Sequence, residues 1–358
     1  MPLEFEIAPD RKIGGNHPCF IIAEIGQNHQ GDMKIAKDLI KVAKDAGADC
    51  AKFQKSELSY KFNKSALARP YTSKNSWGKT YGEHKEFLEF SHDQYKELQD
   101  YANQIGIYFT ASGMDEKAVD FLHDLGVPFF KVGSGDTNNL PYIAKTAEKG
   151  RPMVVSSGMQ SMDTMKKVYK ILKDKGADFC FLQCTSAYPL NPEDVHLRVI
   201  EAYQKEFPDI PIGYSGHESG TTITLGAIAL GAKVVERHIT MDKTWKGSDH
   251  EASLEPDELK DLVTQIRTLE KALGGTFKEM RACELPTFNK IKRHMKWIGE
   301  EFGAARDIPS GAEISADMLA VKVAEPKGIA PETISSLLGM RATRAIDFDD
   351  SIREGDVV

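Results

Sequence analysis

FIIAEIGQNH at residues 20–29 is a short apolar run that closes in glycine and polar residues, and it is the first of eight. The others read ADCAKFQKS (48–56), IYFTASG (107–113), PFFKVGSGD (128–136), MVVSSGMQ (153–160), FCFLQCTSAY (179–188), IPIGYSGHE (210–218) and KVVERHIT (233–240). Stretches of helical periodicity separate them. DMKIAKDLIKVAKDAG follows the first run, HDQYKELQDYANQIG precedes the third and DEKAVDFLHDLG the fourth. SMDTMKKVYKILKDKG, EDVHLRVIEAYQKEF, SGTTITLGAIALG and EPDELKDLVTQIRTLEKALGG (255–275) come after. Asp32 is placed to cap the first helix, Gly47 to stop it, and Pro256 to start the last. Strands alternating with helices of this length pair in parallel through right-handed crossovers. Eight such units close an α/β fold, the (β/α)8 TIM barrel; an open doubly wound sheet is the main alternative. A barrel carries its chemistry at the carboxyl ends of its strands. Those ends offer Glu24, Lys52, Gln54, Ser112, Lys131, Ser134, Ser156, Tyr188, Ser215, His217, Glu236 and His238.

The chain has 358 residues, enough for one barrel and a small extra domain. Lys plus Arg is 46 and Asp plus Glu is 53, for a formal charge of −7. That balance argues against a nucleic-acid partner, which leaves a basic footprint. An anionic small substrate stays open, because a few lysines dominate a local pocket. No apolar run approaches the roughly 20 residues that span a bilayer, so no membrane is expected. MPLEFEIAPDRK lacks the apolar core of a signal peptide. The cysteines (Cys19, Cys50, Cys180, Cys184, Cys283) are odd in number and mostly inside predicted strands. They fit a cytoplasmic protein with small, reduced, buried thiols. Cys180 and Cys184 do not form a CxxC pair, so no structural zinc site is expected.

Two segments depart from the rhythm. Residues 57–92, rich in Lys, Tyr, Ser and Asn, exceed an ordinary βα connection and read as a lid or substrate contact, or as a surface excursion with its own short helix. After Gly275 the strand pattern stops. We divide the chain into a barrel domain at 1–285, a linker at 286–300 and a small domain at 301–358, with short strands, Pro/Gly turns and one brief helix near PETISSLLG. So small a core is marginal alone and calls for docking on the barrel or on a partner chain.

His217 and His238 fall just past adjacent predicted strands, so both imidazoles can meet at the pocket mouth. Two neutral imidazoles suit Mn, Zn or Fe with water completing the site; two hydrogen-bonded strand-end histidines are the plainer reading. Glu218 and Glu236 flank them as ligands or as residues that orient them. Lys52 and Lys131 end the second and fourth strands, where a buried lysine meets an anion or a reactive carbonyl. Ser134, Ser156 and Ser215 add hydroxyls, and Gly133, Gly135, Gly158 and Gly216 let backbone N–H groups approach a ligand. Together these suggest a phosphate or carboxylate pocket. Glu24 is placed for general acid–base work, or as a structural partner of the lysines. Asp249, in KGSDH, reads as a hydroxyl contact or a solvated loop residue.

FIIAEIGQNHQGD, CAKFQ, FFKVGSGD, SSGM, QCTSAYP, YSGHE, ERHIT and KGSDH, in this order, closely resemble the sialic acid synthases over about residues 1–285. RPYTSKNSWGKTYGEHK resembles the vertebrate-type, 9-phosphate-forming branch. DIPSGAEISADMLAVKVAEPKGIAP resembles the antifreeze-like (SAF, β-clip) domain that such enzymes carry. The resemblance implies condensation of phosphoenolpyruvate with N-acetylmannosamine 6-phosphate, giving N-acetylneuraminate 9-phosphate and phosphate. It implies a divalent metal, Mn or Mg, held by His217 and His238. Lys52, Ser112, Lys131, Ser134, Ser156, Ser186 and Ser215 would line the phosphoenolpyruvate site. Glu24, Gln54, Tyr188, Glu236 and Asp249 would face the sugar or assist proton transfer. It also implies a homodimer with swapped C-terminal domains. The chain departs from the family ahead of the tail: Glu300 falls near the position of a sugar-binding arginine, with Arg293, Lys296 and Arg306 as possible substitutes. A preference for mannose 6-phosphate, or a catalytically silent barrel serving as a scaffold, are the alternatives. Lys61, Arg69, Lys74 and Lys79 of the long loop are candidates for holding the 6-phosphate.

Overall fold

A computed structural model describes residues 3–287 and 301–358. They fall into two compact units, Met1–Gly274 and Gly275–Val358. In the first, eight parallel strands close a barrel. They are β3 (Phe20–Gly26), β4 (Cys50–Lys55), β5 (Tyr108–Gly113), β6 (Phe130–Val132), β7 (Met153–Ser156), β8 (Phe179–Cys184), β9 (Ile212–Gly216) and β10 (Val234–His238). Strand β10 pairs with both β9 and β3, which completes the ring and excludes the open sheet.

Each strand is buried on both faces, as a parallel barrel requires. Successive side chains alternate between the barrel interior and the helix layer. Ile21, Ala23, Ile25, Ala51, Phe53 and Val235 join the helices in one core cluster. Phe20, Ile22, Cys50, Phe129, Val154, Cys180, Leu182 and Val234 form a second cluster inside the barrel. On the same faces, towards the carboxyl ends, the inward set turns polar: Glu24, Lys52, Gln54, Ser156 and Glu236 all border one cavity. The apolar layers below exclude water from beneath that polar layer, so the charges above them are only partly solvated.

A hairpin unforeseen in the sequence, β1 (Glu4–Ala8) with β2 (Arg11–Gly14), packs Ile7 and Ile13 onto the interior cluster. It plugs the amino-terminal end of the barrel. Asp32 caps the helix Met33–Ala46 by accepting from the Lys34 and Ile35 N–H groups, and Gly47 ends it in the left-handed region at φ 86°. Such a cap contributes about 1 kcal/mol. Pro256 opens the helix Pro256–Leu273. The helix expected over EDVHLRVIEAYQKEF is shorter: only Val199–Glu206 is α-helical, after a 3-10 turn at Pro192–Asp194. His196 at φ 53° breaks the two apart. A helix at Leu140–Ala147, capped by Asn139, was not anticipated.

The long insertion is built rather than slack. It holds helices Leu58–Lys61, Lys64–Ala68 and Tyr81–Leu88, the last with a reciprocal cap between Thr80 and Glu83. Tyr71 and Tyr81 N–H groups donate to Lys79 and Arg69 carbonyls, and the Arg69 guanidinium lies 4.3 Å from the Tyr81 ring centre.

In the second unit β11 (Glu301–Ala304) pairs antiparallel with β12 (Leu319–Lys322). Phe302, Ile308, Ile314, Leu337, Ile346 and Ile352 make its core. The brief helix is present at Ile334–Leu337. Arg293, Lys296, Glu300 and most of the 286–300 linker lie outside the described residues. Arg306 is exposed and pairs with Asp317 at 2.7 Å.

Candidate active site

One cavity of about 550 Å³ opens at the carboxyl ends of the barrel strands. Its wall holds Glu24, Lys52, Gln54, Ser112, Lys131, Ser134, Ser156, Ser186, Tyr188, Ser215, His217, Glu236 and His238. Asp249 is not part of the wall; its carboxylate lies 3.7 Å from His238 Nδ1. Glu218, one of the two flanking glutamates, turns away. It accepts from Arg237 Nη1 at 3.0 Å, from Thr224 Oγ1 at 2.7 Å and from the Tyr214 hydroxyl at 2.8 Å. Arg237 and Glu218 are both 1% exposed.

Four charges meet at the cavity floor. Lys52 Nζ lies 2.6 Å from Glu24 Oε2 and 3.7 Å from Glu236 Oε2. Lys131 Nζ lies 3.3 Å from Glu236 Oε1. All four side chains are at most 5% exposed. Lys52 also donates to Ser112 Oγ at 3.0 Å, Gln54 Nε2 to Glu24 Oε1 at 2.9 Å, and Ser215 Oγ to Glu236 Oε1 at 3.1 Å.

Burial splits the carboxylates. Burial pushes Glu24 up to about 7, the Glu236 charge adds to this, and Lys52 opposes it. Glu236 is desolvated too, yet the Lys131 and Lys52 ammoniums outweigh that and hold it down at about 2. Burial lowers the Lys131 ammonium and Lys52 repels it. Lys52 is desolvated as well, but Glu236 and Glu24 raise it above the ordinary lysine value. Two titratable carboxyls driven apart in this way mark acid–base chemistry.

Above this floor sit two imidazoles, with ring centres 5.4 Å apart. His217 Nδ1 is bound to the Thr185 carbonyl at 2.9 Å, and the Cys184 thiol also hydrogen-bonds with the His217 side chain. Burial lowers the His238 pKa, so that ring is neutral. His238 Nδ1 is buried without a hydrogen-bond partner. Imidazoles oriented through their second nitrogen by a carbonyl or a carboxylate are how proteins present metal ligands. No group of three or more His, Cys, Asp or Glu side chains among the described residues forms a cage. Two imidazoles this close, with room for oxygen ligands in the cavity, fit an open site completed by substrate and water oxygens. The Tyr188 ring stands 4.0 Å from His217 and 5.7 Å from His238.

Hydroxyls crowd one wall. Ser134 Oγ accepts from the Gly158 N–H at 3.0 Å, and Ser156 Oγ is buried without a partner. A Cβ on Gly158 would collide with the Ser186 and Ser134 hydroxyls, so glycine is what lets them converge. Lys61, Phe62, Tyr81 and Lys85, from the insertion, also line the cavity. Of the loop cations named from sequence, Lys61 reaches the cavity and Arg69, Lys74 and Lys79 do not. Lys85 was missed. Its register in a short helix of weak amphipathicity carries no signal of its direction.

Residues 39–278 match the NeuB family model and residues 303–358 match the SAF domain model. The chain is 65% identical over its full length to the N-acetylneuraminate-9-phosphate synthase of Mus musculus, of which it covers 98%. It is 65% identical to the enzyme of the same name from Homo sapiens, covering 99% of this chain and 97% of that one. The crystal structure of N-acetylneuraminic acid (sialic acid) synthetase from Leptospira borgpetersenii superposes with a TM-score of 0.71 at 32% identity. It covers 82% of this chain and 97% of its own.

Proposed function

The chain belongs to the NeuB family, and on that premise we propose that it condenses phosphoenolpyruvate with N-acetylmannosamine 6-phosphate, yielding N-acetylneuraminate 9-phosphate and phosphate. The observation that carries this reading is the charge arrangement on the cavity floor: Lys52 and Lys131 share Glu236, with Glu24 beside them and two imidazoles above. Phosphoenolpyruvate brings a phosphate and a carboxylate, and both need cations and N–H or O–H donors. The two lysines, Ser112, Ser134, Ser156 and Ser215 are such donors, and the unpartnered Ser156 hydroxyl is free to engage a ligand.

A divalent metal, Mn or Mg, would be held by His217 and His238 and supplies Lewis-acid polarisation of the sugar's aldehyde oxygen when bound. The enol carbon adds to the aldehyde, and positive charge develops at C2 of the enol phosphate. Water adds at C2, and the tetrahedral hemiketal phosphate collapses with cleavage of the C–O bond. The aldehyde oxygen gains one proton and the attacking water loses one, so a single group can serve both. Glu24 suits that role, because a carboxyl near pKa 7 both donates and accepts at neutral pH. As a carboxylate it also opposes the charge at C2. Gln54 holds it in place through Glu24 Oε1. Tyr188 and Asp249 flank the imidazoles and would face the sugar.

Family membership also supports a homodimer with swapped C-terminal domains, the small core of the SAF unit being marginal alone. A cytoplasmic location agrees with four buried free thiols, Cys19, Cys50, Cys180 and Cys184. No helix of the described residues is long and apolar enough to cross a membrane.

The test is phosphate release from phosphoenolpyruvate by the full chain with Mn, run with N-acetylmannosamine 6-phosphate, mannose 6-phosphate and N-acetylmannosamine. Release that depends on the acylated sugar phosphate and is lost in His217→Ala is the expected result. Release with mannose 6-phosphate alone would reassign the substrate to the deaminated series. No release from a folded chain would leave the silent scaffold.

A further inference from the structure

We propose that Lys85, supported by Lys61 and seated against Tyr81, is the subsite for the sugar's 6-phosphate, at the outer end of the cavity. This rests on the synthase reading above and says which residues recognise the phosphate.

Lys85 sits in the helix Tyr81–Leu88, whose reciprocal Thr80–Glu83 cap fixes its start. Its Nζ donates to Gln27 Oε1 at 3.3 Å and makes no ion pair among the described residues. It lies 5.7 Å from the Tyr81 ring centre and borders the cavity. The side chain is half-buried, and burial lowers its pKa against the pull of the Asp249 and Glu89 charges, with Lys61 adding a smaller push. A desolvated ammonium that touches no carboxylate is costly unless an anion completes it.

Lys61 faces the same space and is paired there, its Nζ lying 3.0 Å from Asp136 Oδ1. Of these two ammoniums, which repel one another, only Lys61 touches a carboxylate among the described residues, so Lys85 offers a positive charge at the cavity wall. A phosphomonoester dianion would balance it and relieve the repulsion.

The inner lysines cannot be the same subsite, because Glu24 and Glu236 already hold them around the site assigned to phosphoenolpyruvate. Placement agrees with the sugar's length. The aldehyde belongs beside His217 and His238, and the phosphate is at the far end of a six-carbon chain. Asp249 is near both ends: it lies 3.7 Å from His238 Nδ1 and its charge acts on Lys85. The insertion that carries Lys61 and Lys85 is thus a phosphate clamp laid over the open end of the site.

The experiment compares the full chain with Lys85→Met and Lys85→Arg, using phosphate release with N-acetylmannosamine 6-phosphate and with N-acetylmannosamine. We expect Lys85→Met to lower the ratio of kcat/KM for the phosphorylated over the unphosphorylated sugar by about tenfold or more, through KM of the phosphorylated sugar. Lys85→Arg should keep most of the ratio. Taken within one preparation, the ratio is unaffected by partial unfolding. A calorimetric titration with N-acetylmannosamine 6-phosphate should show Kd weakened by a similar factor, about tenfold, in Lys85→Met. An unchanged ratio and an unchanged Kd would overturn the subsite. A wild-type chain that releases no phosphate with either sugar would overturn the synthase reading instead, and the titration would still decide whether Lys85 holds the phosphate.

Discussion

Glu24 and Lys52 stand opposite one another in register on β3 and β4, and their charged atoms meet at 2.6 Å with both side chains buried. The pair is not a simple ion pair. Burial raises Glu24 to about 7, so near neutral pH the carboxyl is partly protonated despite its lysine. If the protonated form starts the cycle by donating to the sugar oxygen, that form is lost as pH rises through the pKa. The kcat/KM profile, which reports the free enzyme, should therefore fall with a limb centred near pH 7. Glu24→Gln should lose about 10²- to 10³-fold in kcat and lose this limb with it. A limb that persists in the glutamine variant would assign it to another group.

Binding of phosphoenolpyruvate should be coupled to proton uptake. The ligand's negative charge arrives beside Glu24 and draws Lys52 towards itself, and both effects raise the carboxyl further. At about pH 8 the free enzyme holds Glu24 ionised, and the complex should take up as much as one proton. Calorimetric titrations in buffers of different ionisation enthalpy measure this directly. A binding heat independent of the buffer would refute it, and Glu24→Gln should abolish the dependence.

The Glu218–Arg237 pair offers a stability prediction. His217 precedes Glu218 and His238 follows Arg237, so this buried bridge ties together the two backbone segments that present the imidazoles. Arg237 also donates to the Gly220 carbonyl at 2.8 Å, pinning the loop after β9. Arg237→Met leaves the Glu218 carboxylate buried with only hydroxyl partners and should destabilise the barrel by about 3–5 kcal/mol. Glu218→Gln with Arg237→Met together should recover part of that loss. Denaturant unfolding of the two variants and the parent decides it; equal loss in the single and the double variant would contradict the bridge.

The barrel was legible because a parallel strand buried on both faces reads as an apolar run, and a run ending in charge marks where the interior opens. Glu24, Lys52, Glu236 and His238 follow from that period-two reasoning alone. Glu218 did not, because a residue just beyond a strand end has no fixed face; here Arg237, pointing outward between strands, draws it away from the cavity. Lys85 was invisible for a related reason: its direction depends on how the insertion folds over the barrel. The amino-terminal hairpin was missed because its two short strands bury only Ile7, Ala8 and Ile13, too few to make a pattern.

His29, just past β3, makes the barrel acid-sensitive. It is 1% exposed, stacks on Phe90 with ring centres 4.2 Å apart, and accepts the Gly31 N–H on Nδ1 at 3.1 Å. Burial lowers its pKa to about 3. Above the unfolded value of about 6.5 the ring is neutral in both states and costs nothing. As pH falls below that value, the unfolded chain binds a proton that the folded one refuses. Stability is then lost at about 1.4 kcal/mol per pH unit until the folded pKa is reached. Burial lowers His250 in the same direction, so the whole slope is not due to His29. His29→Asn, which keeps an acceptor, should flatten the slope between about pH 6.5 and 5 by one proton. Urea unfolding of both proteins across that range measures the difference, and parallel slopes would mean that His29 takes up its proton in the folded state.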